Sequence, residues 1–302
     1  MNNINTEIFR AYDIRGTYPT TINEQTAFTV GKSYGSYLQE KYNKTSCIVS
    51  HDNRLSSETL TQNLIKGLVS SGINIVSLGY TTTPMNYYAR YLNQMPGIMV
   101  TASHNPKDDN GFKMSFDGMI NARGEMIEDF KNYTLAGNFK NGQGKITNTN
   151  ITDKYLEYLK YSLKFGKNKR KVVIDPGNGA TTHIIRKVFD NVFCNPIYIN
   201  DISDGSFPNH HPDPAVAENL VQLQKAVKDN RADFGVAYDG DGDRIGVVME
   251  NGEILQIEHL MLIYIKDMIN SVSNKTFLYD IKCSKAVEDV IDELGGKKEC
   301  YR

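Results

Sequence analysis

Strand-like and helix-like segments alternate along this chain, and that rhythm restricts the fold more than any other feature. Residues 46–50 (SCIVS) are short and apolar, and 60–70 show helical spacing at Leu60, Leu64 and Leu68. Residues 73–78 (INIVSL) alternate again, 85–92 fit a second helix and 97–100 (GIMV) fit a buried strand. A βαβαβ order of this kind predicts an α/β layer with mostly parallel strands. The stretch 137–150 is rich in Gly and Asn, lacks periodicity and is expected to be a linker. The rhythm then restarts with a strand at 171–174 (KVVI), a helix at 180–189 and a strand at 196–199. A helix over 215–228 follows, with Leu220, Leu223 and Val227 apolar, and then strands at 232–238 and 245–249. A third unit opens near Gly252, with a helix at 258–269, a strand at 276–281 and a helix at 284–294. Two βα units are poor material for a closed core, so this unit is expected to be incomplete. The expected domains are 1–148, 149–251 and 252–302.

The 302 residues exceed one average domain. The formal net charge of -1 offers no general basic field for nucleic acid or a membrane surface. An anionic substrate would have to be met by local arginines and lysines. Cys47, Cys194, Cys283 and Cys300 form no CxxC pair and read as reduced thiols. The N-terminal MNNINTEIFR has no signal-peptide core, and no stretch approaches the roughly 18 apolar residues of a membrane span. A cytoplasmic protein is expected.

Residues 238–244 read YDGDGDR. Three carboxylates at alternate positions, Asp239, Asp241 and Asp243, can converge on one cation if the glycines let the backbone curl. Oxygen-only ligands favour Mg²⁺ or Ca²⁺ over zinc. A solvated acidic turn is the usual reading of a lone DxD, but three carboxylates this close repel one another without a cation. A calcium loop of the EF-hand type is excluded, because Arg244 occupies the position that needs Gly and the flanks (FGVAY, IGVVM) read as strands. Mg²⁺, bound by few carboxylates, keeps positions open for phosphate oxygens, and Arg244 could clamp a phosphate or a sugar hydroxyl.

Residues 101–106 (TASHNP) directly follow the strand GIMV, and loops at the carboxyl ends of parallel strands are where open α/β sheets place ligands. Ser103 is flanked by His104 and Asn105, with Lys113 in NGFK just beyond. There is no GxSxG elbow, and adjacent Ser and His rarely share one proton. On the loop alone, a polar turn ended by Pro106 outranks a catalytic role.

Four segments taken together change that weighting. FRAYDIRG (9–16), TASHNP (101–106), NGFK (110–113) and DGDGDR (239–244) resemble the α-D-phosphohexomutase family, in its bacterial phosphomannomutase/phosphoglucomutase branch. TTPM (82–85), DPGNGA (175–180), PNHHPDP (208–214) and YDIKCS (279–284) support the resemblance, in family order and over nearly the whole chain. It implies tandem α/β domains with mixed, mostly parallel sheets flanked by helices, with the third domain incomplete and the fourth absent. It also implies a Mg²⁺-dependent enzyme that interconverts hexose 1-phosphate and 6-phosphate, of mannose and/or glucose, through a hexose 1,6-bisphosphate. By motif, Ser103 is implied to be the phosphoserine, and its phosphate with Asp239, Asp241 and Asp243 to hold the metal. Lys113 and Arg15 are implied to transfer protons and stabilise charge, with His104, Tyr12, Arg244 and Lys282 around the sugar. The implied partners are hexose phosphates.

The pair His210 and His211, set among prolines, reads as a structural turn rather than a metal site. Two departures from the family pattern stand out. The usual Gly-Arg-Asp is replaced by SHDNR at 50–54, which keeps Asp52 and Arg54. The family's sugar-recognition loop and fourth, phosphate-binding domain have no counterpart in this sequence. The chain alone is therefore expected to isomerise very weakly. The alternatives are a fragment that binds Mg²⁺ and phosphate but needs the missing part, or one completed by a separate chain. The third unit is expected to expose apolar surface.

Overall fold

The alternation read from the sequence builds three sheets. The computed structural model describes residues 4–118, 120–163, 166, 168–190 and 194–301; residues 1–3 of the N-terminal segment and residue 302 lie outside them. The first sheet is built from β1 (Ile14–Thr17), α1 (Glu24–Lys41), β2 (Ser46–His51), α2 (Ser57–Ser71), β3 (Asn74–Tyr80), α3 (Thr83–Asn93), β4 (Gly97–Val100), β5 (Asp109–Ser115), α4 (Glu125–Ala136) and β6 (Ile146–Asn148). Its strand order is β1-β5-β4-β2-β3-β6. β2, β3, β4 and β6 pair in parallel, whereas β5 runs antiparallel to β1 and β4. The sheet is therefore mixed, and the pairing of β1 with β5 sets the IRG end of FRAYDIRG beside NGFK.

Two features depart from the pattern reading. The 137–150 stretch is no free linker. It supplies β6, and on the way Gly142 N–H and Gly144 N–H donate to the carbonyls of Ser70 and Val69, both at 2.9 Å. A Cβ on Gly144 would meet the Ile73 carbonyl oxygen at 1.8 Å, so glycine is there for close approach, not for flexibility. Over 24–41 no element is assigned from the sequence, yet α1 forms there with two glycines, which are poor helix formers, in its interior. They let it lie directly on α2. A Cβ on Gly31 would stand 2.1 Å from the Leu64 carbonyl oxygen, and one on Gly67 of α2 would stand 2.1 Å from that of Phe28. Gly67→Ala would gain helix propensity but drive a methyl into backbone, and overpacking wins. It is expected to destabilise the fold by about 1–3 kcal/mol, read as a lower urea midpoint; an unchanged midpoint would contradict this packing.

The second sheet contains α5 (Thr152–Ser162), β7 (Arg170–Asp175), α6 (Ile185–Phe189), β8 (Cys194–Tyr198), α7 (Val221–Asn230), β9 (Phe234–Tyr238), β10 (Ile245–Met249) and β11 (Ile254–Leu255). The order is β11-β10-β9-β7-β8, with β7 parallel to β8 and β9 and the β9–β10 hairpin antiparallel. Two expected helices are shorter at their N-termini, because single 3₁₀ turns at Ala180–His183 and Ala217–Leu220 precede them. Val173, Leu223, Val227 and Val248 form the buried centre.

The third unit holds α8 (Ile257–Met268), β12 (Thr276–Asp280), α9 (Lys285–Glu293) and β13 (Lys297–Tyr301), with β12 and β13 parallel. Its core is small, centred on Val287 and Ile291. Ile263, Tyr264, Leu278 and Ile281 remain 54%, 52%, 63% and 57% exposed, the apolar surface expected of this unit. Among the described residues no helix is long and apolar enough to cross a membrane.

Candidate active site

The serine loop is held by one buried arginine. Arg54 donates to the carbonyls of Ser103 (2.8 Å), Asn105 (2.7 Å), Pro106 (2.5 Å) and Asp109 (3.1 Å). Burial lowers its pKa, opposed by Asp52, whose Oδ2 lies 3.3 Å from Arg54 Nε. The SHDNR departure leaves this anchor intact: Ser50 Oγ accepts from Asn86 Nδ2 at 2.9 Å, and the His51 ring stacks on Tyr80. Within the loop, Ser103 N–H donates to Thr101 Oγ1 at 2.9 Å and Ser103 adopts φ 53°, an uncommon conformation for a residue with a side chain.

The aspartates occupy the turn between β9 and β10. Asp239 Oδ1 accepts from the N–H groups of Gly242, Asp243 and Arg244 at 3.0–3.1 Å, which curls the loop around it. Gly242 takes φ 78°, which favours glycine. Gly240 sits where the two loops abut, since a Cβ there would lie 2.4 Å from the Ser103 carbonyl oxygen. Gly240→Ala is expected to push the loops apart and cost about 1–3 kcal/mol, visible as a lower melting temperature; an unchanged melt would contradict the contact.

Ser103 Oγ donates to Asp239 Oδ2 at 2.7 Å. His104 Nδ1 lies 3.4 Å from the same Oγ, a loose contact. Burial, then Arg244, lowers the His104 pKa and favours neutral imidazole. Asp241 Oδ2 accepts from Thr83 Oγ1 (2.8 Å), Thr101 Oγ1 (3.2 Å) and Lys113 Nζ (2.7 Å). Lys113 also reaches Asp243 Oδ2 at 2.7 Å. Burial works against the Lys113 charge, but Asp241 and Asp243 prevail and raise its pKa. Burial, then Asp241 and Asp243, raises the pKa of Asp239; Asp241 is held down, against its own burial, by Lys113.

Oxygens from the three aspartates lie within 4.8 Å of one another. Asp241 Oδ1 is buried and, among the described residues, has no hydrogen-bond donor. A crowded carboxylate group with an unpartnered buried oxygen fits a cation.

Beside this junction lies a cavity of about 570 Å³, lined by Tyr12, Arg15, Ser103, Lys113 and Arg244 among others. Arg15 is fixed by Asp13 Oδ2 and Asn105 Oδ1, each at 2.5 Å. Of the residues expected at the site, His104 touches Ser103 without lining the cavity. Lys282 is not brought there: its side chain is 84% exposed on the turn after β12, 3.7 Å from Asp280. His210 is structural, with Nε2 3.0 Å from Asp175 Oδ2 and Nδ1 2.9 Å from the His211 carbonyl. Pattern reading missed the parts played by Arg54, Thr83 and Thr101 in shaping the site. All three stood in quoted segments, SHDNR, TTPM and TASHNP, but only the fold shows Arg54 holding the serine loop and both threonines meeting Asp241.

Two family models match the chain: the phosphoglucomutase/phosphomannomutase alpha/beta/alpha domain I at residues 6–141 and domain II at residues 153–252. A phosphomannomutase/phosphoglucomutase of Pseudomonas syringae pv. tomato is 39% identical over 98% of this chain. A phosphomannomutase of Methanocaldococcus jannaschii is 36% identical over 96% of it. The chain spans 63% and 64% of the lengths of these two relatives. The crystal structure of a phosphoglucomutase/phosphomannomutase family protein from Burkholderia thailandensis superposes with a TM-score of 0.93 at 32% identity, covering 99% of this chain and 67% of that one. With its two matched domains and its relatives agreeing along almost all its length, the chain belongs to the phosphoglucomutase/phosphomannomutase family.

Proposed function

We propose that this chain carries the phosphoryl-transfer half of a magnesium-dependent sugar phosphomutase. The reaction interconverts the 1- and 6-phosphates of mannose and/or glucose through phosphorylated Ser103 and a hexose 1,6-bisphosphate. The observation that carries this reading is the 2.7 Å contact of Ser103 Oγ with Asp239. It sets a hydroxyl of one α/β unit against the carboxylates of the next. In the proposed division into domains 1–148, 149–251 and 252–302, the site straddles the first boundary.

Asp239, Asp241 and Asp243, with a phosphate oxygen on Ser103, would hold Mg²⁺, a hard cation suited to oxygen donors. When bound it supplies charge neutralisation at the phosphoryl oxygens. The chain's own residues do the rest. In the half-reaction that loads the enzyme, the sugar O–P bond breaks as the Ser103 Oγ–P bond forms. The Ser103 hydroxyl loses a proton as the departing sugar oxygen gains one, and Lys113, whose Nζ lies 2.7 Å from Asp241 and Asp243 at the site, is assigned to carry that exchange. Arg15 and Arg244 stabilise charge on the transferring group, Tyr12 contacts the sugar, and His104 stands beside Ser103 Oγ.

Conversion of glucose 1-phosphate and mannose 1-phosphate, primed with glucose 1,6-bisphosphate in Mg²⁺ or in EDTA, tests this. Mg²⁺-dependent isomerisation supports the proposal, and activity indifferent to EDTA overturns the metal's part. The chain's 63% coverage of its first relative favours a narrower outcome, transfer to Ser103 with isomerisation far below that of a full-length relative. Turnover equal to such a relative would contradict the narrower outcome.

A further inference from the structure

We infer that Tyr87 is a further substrate-binding residue, whose hydroxyl donates a hydrogen bond to a sugar hydroxyl of the hexose phosphate in the cavity. This contact presupposes the phosphomutase reading proposed above. Tyr87 and Asn121 line the same cavity as Ser103 and Lys113. Behind them lies buried Arg90, which donates from Nη1 to Asn121 Oδ1 at 2.7 Å. Arginine offers donors only, so the amide oxygen of Asn121 must face it. That turns Asn121 Nδ2, a donor, to the Tyr87 hydroxyl at 2.7 Å. The Tyr87 oxygen therefore accepts, and its own hydrogen is left over. Among the described residues that hydrogen has no acceptor.

The ring is held as firmly as the hydroxyl. The Arg90 guanidinium lies over it, 5.2 Å from its centroid. The Arg90 stem runs against Gly97, where a Cβ would meet its Cδ at 2.8 Å. Burial raises the Tyr87 pKa, with Lys113 and the Asn121 bond acting against it, so the group stays a neutral donor at neutral pH. A neutral donor suits a neutral sugar oxygen, while Arg15, Lys113 and Arg244 line the cavity to meet the charge of the phosphoryl group. The position of Tyr87 agrees. Thr83 and Tyr87 are four residues apart on α3, which puts them on one face and about 6 Å apart along the axis. Thr83 Oγ1 donates to Asp241 Oδ2 at 2.8 Å, so Tyr87 stands one helical turn beyond the aspartates. A sugar whose phosphate is at Ser103 has to extend past that group into the cavity. A tyrosine at an open surface would be satisfied by water. It would need neither a buried arginine over its ring nor an amide fixed in one orientation.

The test is calorimetric titration of the full chain carrying Ser103→Ala, which blocks transfer, with glucose 1-phosphate and, separately, with inorganic phosphate. Adding Tyr87→Phe keeps the ring and removes the hydroxyl. It is expected to weaken glucose 1-phosphate binding roughly three- to tenfold and to leave inorganic phosphate unchanged. Unchanged affinity for glucose 1-phosphate, an equal loss for inorganic phosphate, or a parent that binds the two alike would each overturn the sugar contact. Asn121→Asp separates donation from structure. A carboxylate accepts from both Arg90 and the Tyr87 O–H, which turns that hydrogen away from the cavity. In this background Tyr87→Phe is expected to cost nothing further, and a repeated threefold loss would overturn the assigned donor direction. Should Tyr87→Phe not fold, Asn121→Asp alone decides: a greater loss for glucose 1-phosphate than for inorganic phosphate supports the contact, and equal losses overturn it. Absence of phosphate on Ser103 after the unsubstituted chain meets glucose 1,6-bisphosphate would count against the phosphomutase reading instead, so the two failures are distinguishable.

Discussion

Ser103→Ala is expected to leave the protein folded and to lower isomerisation roughly 10⁴-fold or more, because it removes the only atom proposed to accept the phosphoryl group. The fold has little stake in that oxygen. Its partners are Asp239 at 2.7 Å and the loose His104 contact, while the loop is fixed by Arg54 through main-chain carbonyls. Removing Oγ also relieves nothing else in the loop, since Ser103 N–H keeps its bond to Thr101. The check is a coupled assay of glucose 1-phosphate conversion beside a thermal melt. Activity within tenfold of the parent would contradict the role assigned to Ser103, whereas a collapsed melt would show that the side chain is structural.

The second large effect is expected at Asp241. Its Oδ2 gathers Thr83, Thr101 and Lys113, and its buried Oδ1 has no donor among the described residues. Asp241→Asn keeps the shape but removes the charge and places an amide near Lys113. Mg²⁺ at a hundred times its dissociation constant would stabilise the parent by about 2.7 kcal/mol, and this gain is expected to vanish in the variant. Activity is expected to fall roughly 100-fold or more. Thermal melts with and without Mg²⁺ give the first readout independently of catalysis. An equal Mg²⁺ shift in parent and variant would remove Asp241 from the metal site.

Much of this architecture was legible in the sequence, for physical reasons that differ between segments. The buried parallel strands β2 and β4 are apolar on both faces and announce themselves as SCIVS and GIMV. The strands β1 and β5 do not, because IRGT and DNGFKMS mix charge and glycine to serve the site. The glycines of α1 and of the 137–150 stretch suggest loops to a propensity argument, but they are contact points where one backbone lies on another. The aspartate turn was readable because strand-like flanks and alternate carboxylates leave few options. Ser103 was not readable alone; the motif order raised it, and the fold brings it to Asp239. Lys282 had motif support, yet its side chain faces solvent on the third unit.

The central claim is that Ser103 accepts a phosphoryl group. Incubating the chain with glucose 1,6-bisphosphate and Mg²⁺, then locating phosphate by peptide mass spectrometry, tests it most directly. The account predicts one added phosphate, on Ser103, which is lost when glucose 1-phosphate or glucose 6-phosphate is supplied as acceptor. A chain that stays unmodified at Ser103, or carries the phosphate on another residue, would contradict it.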